Sequence, residues 1–196
     1  MQISGKTSLI IFKNYASATT NWPVYHYSAG AGSYLLLNTS AVAVADATMF
    51  NSIAPTSTTF SVGSNVNLAA GTTLAYCFAS IPGYSYFSAY TGNGLADGPF
   101  VYCGFRPRFV LIKSSSVTAA NWFILDTSRS AYNVTSARLF PSTAGVEVVT
   151  PIELDILSNG FKVRVTAALD AGTNTSGSNY IFAAFAENPF NSSRAR

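Results

Sequence analysis

The feature that most limits what this chain can fold into is that it matches itself at a displacement of 100 residues. Leu9-Ile10-Ile11-Phe12-Lys13 corresponds to Phe109-Val110-Leu111-Ile112-Lys113, four apolar residues closed by a lysine. Asn21-Trp22 recurs as Asn121-Trp122 at the same displacement, and the chain has only these 2 tryptophans. Further along, the alignment drifts as loops change length. Leu36-Leu37 corresponds to Leu139-Phe140, Phe60-Ser61-Val62 to Phe161-Lys162-Val163, and Phe78-Ala79-Ser80-Ile81-Pro82 to Phe185-Ala186-Glu187-Asn188-Pro189. The blocks keep their order, as internal duplication predicts. Any fold for this sequence must therefore be one that half of the chain can build and the other half can build again.

Within each copy, the blocks are rich in β-branched and aromatic residues and are bounded by Gly, Pro, Asn and Ser, which predicts strands. They are expected near 8–13, 22–27, 33–38, 58–63 and 72–80 in the first copy. In the second they are expected near 108–113, 121–127, 136–140, 152–157, 160–166 and 179–186. Ser158-Asn159-Gly160 predicts a hairpin, with Asn-Gly supplying the positive φ values of a type I′ turn. The Ala-rich stretch Ala41 to Asn51 is the candidate for a short helix. Pro23 cannot donate to a ladder, so its strand should begin there or lie at an edge.

Many short strands with turn signals argue an all-β chain of two tandem β-sandwich repeats, of the jelly-roll or lectin-like kind. The divisions are 1–83, a first repeat; 84–107, a strand-turn-strand bridge belonging mainly to the second; 108–190, the second repeat; and 191–196, a flexible tail. Each half is long enough to hold a core of its own. The bridge precedes only the second copy, so the first is expected to lack a strand that a neighbouring subunit or another chain supplies at the sheet edge.

Charge narrows the functional classes. Only 10% of residues are charged, against a usual share of about 25%. With a net charge of +3, copies repel each other weakly, which favours life in an assembly and a homo-oligomer. The basic residues are dispersed, with no basic run or RNA-binding motif, so nucleic acid is not an expected partner. No stretch reaches the 18 or so apolar residues of a membrane span, and no secretory leader is read at Met1 to Lys13, so membrane insertion is not expected and the protein is expected to be made in a cytoplasm. Cys77 and Cys103 read as small buried hydrophobes, with a bridge between them as the alternative in an oxidising compartment.

Catalytic chemistry finds little to work with. His26, the single histidine, reads as an ordinary surface or strand-end residue whose counterpart in the second copy is Asp126. No metal-protease, paired-cysteine, nucleophile-elbow or phosphate-loop motif occurs, so no catalytic residue, metal or cofactor is expected. Glu153 and Asp155 share a strand face and could hold Ca²⁺ or a substrate, but a solvated face is the simpler reading. The 170–175 stretch, Asp170-Ala171-Gly172-Thr173-Asn174-Thr175, reads as a turn. Trp22 and Trp122 read as core. Tyr84, Tyr86, Tyr90 and Tyr102 are candidate contacts for glycans or partners, with Tyr84 and Tyr86 on one face by strand alternation.

The bridge and second copy carry a resemblance. Tyr90-Thr91-Gly92-Asn93-Gly94, Gly98-Pro99-Phe100-Val101-Tyr102, Gly104-Phe105-Arg106-Pro107, Phe109 to Lys113, Asn121-Trp122, Leu157 to Lys162, and Tyr180 through Asn188-Pro189-Phe190 are its residues. They resemble the uncharacterised repeat domain of tailed-bacteriophage virion proteins, of the tail-fibre and receptor-binding type. The resemblance implies a non-enzymatic virion protein assembled in the host cytoplasm. It would be a tail-associated adhesion component meeting other virion proteins and host surface glycans. The alternative is a capsid decoration protein bridging shell subunits, and a glycan-cleaving enzyme is the more remote reading.

Overall fold

A computed structural model describes residues 7–16, 19–66, 72–164 and 171–189. Among them the chain is nearly all-β, with two antiparallel sheets and a single helical turn. The first sheet has the order β4-β3-β2-β1-β5. Its strands are β1 (Thr7–Asn14), β2 (Pro23–His26), β3 (Ser33–Leu36), β4 (Val44–Ala45) and β5 (Thr73–Ala79). The second has the order β6-β13-β8-β9-β10-β11-β12-β7. It is built from β6 (Ser85–Thr91), β7 (Phe100–Tyr102), β8 (Pro107–Ser114), β9 (Trp122–Asp126), β10 (Thr135–Leu139), β11 (Val148–Leu157), β12 (Gly160–Val163) and β13 (Asn179–Ala186). The helical turn is α1 (Ala171–Asn174). The tail 191–196 and Asp170 lie outside the described residues.

Four strands of each sheet run in the same order, β3-β2-β1-β5 and β10-β9-β8-β13. Leu9 faces His26 and Phe109 faces Asp126, so the two hairpins keep one pairing at a displacement of 100. On the other side Leu9 faces Phe78, as Phe109 faces Phe185. The third strand brings a correction of one residue. Val24 faces Leu35 and Ile124 faces Leu139, so Leu35, not Leu36, stands where Leu139 does. A slip of one would turn each side chain to the opposite face, and it is Leu35 that is fully buried.

The matched polar residues make matched bonds. Lys13 Nζ donates to the carbonyl of Thr20 at 2.7 Å, and Lys113 Nζ to that of Ala120 at 2.7 Å. The Trp22 N–H donates to Asn38 Oδ1 at 3.0 Å, and Asn38 Nδ2 donates in turn to Asn21 Oδ1. At Trp122 the same places are held by Ser142 and Asn121, at 3.2 and 3.1 Å. Lysine and the Asn-Trp pair therefore recur because they close the loop between the first and second strands, satisfying backbone groups the ladder leaves over.

Side chains alternate along β1 and so feed two cores. Leu9, Val24 and Leu35 of the first sheet join Phe87, Leu111, Trp122, Ile181 and Ala183 of the second in one buried cluster. The sheets thus stack face to face, and this core belongs to both halves instead of to either alone. Ile10, Phe12 and Tyr25 point the other way and are covered by Ala31, Met49, Phe50 and Val66. The third cluster sets Val110, Ile112, Phe123 and Phe182 against Leu154, Ile156, Phe161 and Val163, so the long sheet curls over its own inner face.

Three local expectations are corrected. Residues 58–63 form no strand, and Phe60 is 41% exposed. In the second half the corresponding strand, β12, is held by β11, and no such partner stands beside 58–63 among the described residues. Ala41 to Asn51 is not helical. Ala43 N–H donates to Ser115 O of the other half and Asp46 N–H to Gly32 O, tertiary bonds that override a weak propensity. At the β11–β12 hairpin the two linking residues are Ser158 and Asn159, because Leu157 already faces Gly160. Gly160 serves a close approach, since a Cβ there would collide with the carbonyl of Val101 on β7.

Candidate functional site

Each half carries a hollow at the same place, where the loop after its first strand meets the face of its sheet turned away from the other sheet. The first holds about 250 Å³. Asn14, Thr19, Thr20, Asn21, Asn65 and Thr73 give it amides and hydroxyls, and Phe12, Pro23, Tyr34, Leu36 and Met49 give it apolar wall. None of its lining residues is charged. Its size falls below the roughly 300–1,000 Å³ of ordinary small-molecule sites, which suits one small ring. Neutral amides and hydroxyls beside aromatic faces can bond and stack a polar, uncharged ligand such as a sugar.

The second hollow holds about 200 Å³ and is lined by Ala119, Ala120, Asn121, Phe123, Arg138 and Phe140. Asn21 and Pro23 correspond to Asn121 and Phe123, and, by the strand register, Tyr34 and Leu36 to Arg138 and Phe140. The chemistry has diverged at one position. Where the first hollow has Tyr34, the second has a guanidinium 5.2 Å from the Phe123 ring centroid and 5.4 Å from that of Phe140, ion-paired with Glu153 at 3.1 Å. Sequence reading missed both hollows, because their residues come from loops and alternate strand positions. The usable signal was the contrast of Tyr34 with Arg138 once the copies are aligned one residue differently.

The candidate tyrosines part company. Tyr90 is a core residue, not a surface contact: it is buried, its ring stacks on Tyr180 at 5.1 Å, and its hydroxyl donates to Thr173 O at 2.8 Å. Burial holds its hydroxyl well above the usual tyrosine range. Tyr84 and Tyr86 are half-buried and do not share a face. Tyr84 lies in the turn before β6 and meets Phe185, whereas Tyr86 meets Phe182 on the opposite face of β13. Tyr102, on the edge strand β7, is 62% exposed and remains available.

The tryptophans also differ. Trp122 is buried between the sheets, and its Nε1 donates to Leu36 O at 2.8 Å. Trp22 is only half-buried, with Lys13 Nζ 5.7 Å over its ring. The two cysteines are free and unlike: Cys77 is exposed and Cys103 is buried, where burial pushes its thiol up to about 12.

His26 ends β2, as expected, but is not at the surface. It is 1% exposed, Ser28 N–H donates to its Nδ1, and its Nε2 stands 3.2 Å from Phe182 O of the second sheet. That pattern makes Nε2 the protonated nitrogen and the bond a tie between the sheets. Asp126, its counterpart, likewise accepts the N–H two residues on, from Ser128 at 2.9 Å. Desolvation holds the His26 pKa down at about 4, against 6.5 for the free side chain. The unfolded chain therefore binds a proton between those values that the folded chain refuses. Stability is expected to fall by up to about 3 kcal/mol as pH drops from 6.5 to 4, and no further from this group below 4. Urea midpoints of the parent and of His26→Gln at pH 7 and pH 4.5 check this; an equal loss in both proteins would rule it out.

The described carboxylates are engaged. Glu153 is fully buried, not on a solvated face, and accepts from Arg138 and from Thr173 Oγ1 at 2.8 Å. Asp155 pairs with Arg164, Asp97 with Lys162, Glu187 with Arg106, and both Asp126 and Glu147 with Arg129. Asp46 accepts from the backbone and hydroxyl of Thr48. The turn at 171–174 acts as a plug, with Asn174 accepting from Asn93 N–H and donating to Leu95 O. Among the described residues, no three His, Cys, Asp or Glu side chains come together as metal ligands.

No curated protein and no solved structure matches the chain. A family model described as "Domain of unknown function (DUF7483)" matches residues 1–189, and with nearly its whole length covered the protein belongs to that family.

Proposed function

We propose that this protein is a non-enzymatic structural component of a tailed-bacteriophage particle, carried at the tail, where it adheres to neutral glycans of the host surface. The observation that carries the adhesion reading is the uncharged lining of the first sheet's hollow, where the counterpart hollow has the Arg138 guanidinium, paired with Glu153, in its wall. The virion assignment rests on the resemblance of the bridge and second copy to tail-fibre repeat domains. Engagement of Glu153, Asp155, Asp97, Asp126, Glu147 and Glu187 in ion pairs, and of Asp46 in hydrogen bonds, supports a binding role over a glycan-cleaving one, which needs two carboxyl groups facing a bond. The finer fold reading, a pair of sandwich-like repeats, draws support from the shared strand order and from the long sheet curling over its own core. Capsid decoration is the second reading, favoured by a charge-poor surface suited to bridging identical subunits.

The test has two arms. Gold-labelled antibody against the chain should mark phage tails; label over whole heads would select the decoration reading, and unlabelled particles would remove both. In the second arm, the isolated chain is titrated with neutral host polysaccharide. Tyr34→Arg, which installs the second hollow's residue in the first, should weaken binding at least tenfold while leaving the unfolding midpoint in place. Equal binding by parent and variant would sink the assignment to this hollow.

A further inference from the structure

Among the described residues, the first sheet ends on a strand with no neighbour on its outer side. On β1 the ladder bonds alternate: Tyr27 N–H reaches Ser8 O on the β2 side, and Tyr15 N–H reaches Thr72 O on the β5 side. With the β1–β5 register, this turns the backbone groups of Leu74, Tyr76 and Phe78 toward β1 and those of Thr73, Ala75 and Cys77 outward. Among the described residues no strand lies along that outer side. Four consecutive side chains, Leu74, Ala75, Tyr76 and Cys77, are exposed, with Leu74 at 46% and Tyr76 at 47%.

The second sheet identifies what is missing. Its equivalent of β5 is β13, which has β8 on one side and β6, antiparallel, on the other. Among the described residues, no strand takes the same place beside β5. Edge strands that stay single are normally protected by charge, proline, a bulge or brevity. β5 is Thr-Leu-Ala-Tyr-Cys-Phe-Ala, 7 residues without a charge or a proline, and its one irregularity falls at its far end, between Thr7 and Leu9 of β1. The other edges differ. β4 and β7 are 2 and 3 residues long. β6 is 7 residues long, yet its outward N–H groups at Ser85 and Phe87 are bonded to Ile81 O and Ser80 Oγ.

We propose that the outer edge of β5 is a two-fold interface, at which a second copy of this chain adds its own β5 and joins two five-stranded sheets into one continuous sheet. A two-fold axis makes identical strands antiparallel, which is the arrangement β6 adopts beside β13. Self-pairing sets like against like, and with no charged residue in β5 it meets no like-charge penalty. Leu74 and Tyr76 lie on one face, so pairing places them beside the same two residues of the partner copy and covers apolar surface the single chain leaves wet. A hetero-partner would need a matching uncharged strand; the second copy already has one.

Sedimentation of the full chain across micromolar concentrations should give a dimer of twice the 20.7 kDa chain mass. Ala75→Pro removes one outward N–H and no bond to β1, and Tyr76→Lys adds a cation to the edge. Each should raise the dimer dissociation constant at least tenfold. Because proline could disturb the strand, the lysine variant carries the test if Ala75→Pro alone loses its native unfolding transition. Ala89→Pro on β6 should leave the dimer intact. A parent that stays monomeric, or a dimer unchanged by Tyr76→Lys, or one lost with Ala89→Pro instead, would overturn the proposal.

Discussion

Replacing Trp122 with alanine is expected to lower the unfolding free energy by about 3–5 kcal/mol, the range for truncating a large buried aromatic. The ring is 2% exposed and packs in the cluster common to both sheets, and its Nε1 bonds Leu36 O on β3. The variant therefore loses apolar burial, leaves a cavity and drops one of the bonds between the halves. Trp122→Phe should lose less, because an aromatic ring still fills the space while the bond to Leu36 is gone. The matched residue gives the sharper comparison. Trp22→Ala should cost only about 1 kcal/mol, typical of substitutions outside a core. The difference comes from what lies on top. Lys113 Nζ and Ser115 O hold the stretch 40–43 of the first half beside Trp122, whereas the corresponding stretch of the second half, near Gly145 and Val146, lies exposed. Equal losses for the two variants in chemical denaturation would mean that the shared core is not where the structure puts it.

That contrast marks how far the sequence could be read. Strands with strong apolar content were legible, and β13 falls at 179–186 as expected, because seven consecutive apolar or aromatic residues between polar turns leave few alternatives. The matched Lys and Asn-Trp blocks were legible as a pattern, and their hydrogen bonds explain why the pattern is kept. What stayed hidden was tertiary. Nothing in Val24-Tyr25-His26-Tyr27 announces that His26 will reach across to Phe182, since local pattern says which residues alternate but not which sheet they meet. The burial of Glu153 was likewise invisible, because an acidic residue two before another acid reads as a wet strand face until its cation is found 15 positions away. Segment 58–63 failed for a related reason: strand propensity needs a partner strand to become a strand. Of the candidate contacts, Tyr102 stands exposed on β7, and the hollows were not legible, because concavity comes from loops that alternation rules do not describe.

The differences between the copies carry more functional information than their likeness, and the Arg138–Glu153 pair is the place to measure this. Glu153 is fully buried and the Arg138 side chain is 12% exposed, with the guanidinium lying against Phe123 and Phe140. Arg138→Met keeps the length and packing of the side chain but leaves a carboxylate in the core without its cation. Removing one partner of a buried pair costs about 3–5 kcal/mol, most of it the stranded charge. The sign of the pH dependence follows. Protonating Glu153 removes that charge, so the variant's deficit relative to the parent is largest at neutral pH and shrinks as the solution is acidified. Arg138→Met with Glu153→Gln should recover much of the loss at pH 7, because the amide still accepts from Thr173 without a charge to desolvate. Urea titrations of the parent, the single variant and the double variant at pH 7 and pH 5 read all three expectations. A deficit independent of pH and unrelieved by Glu153→Gln would mean that arginine matters there for packing alone. In that case the divergence of the second hollow from the first would rest on the shape of its wall instead of on charge.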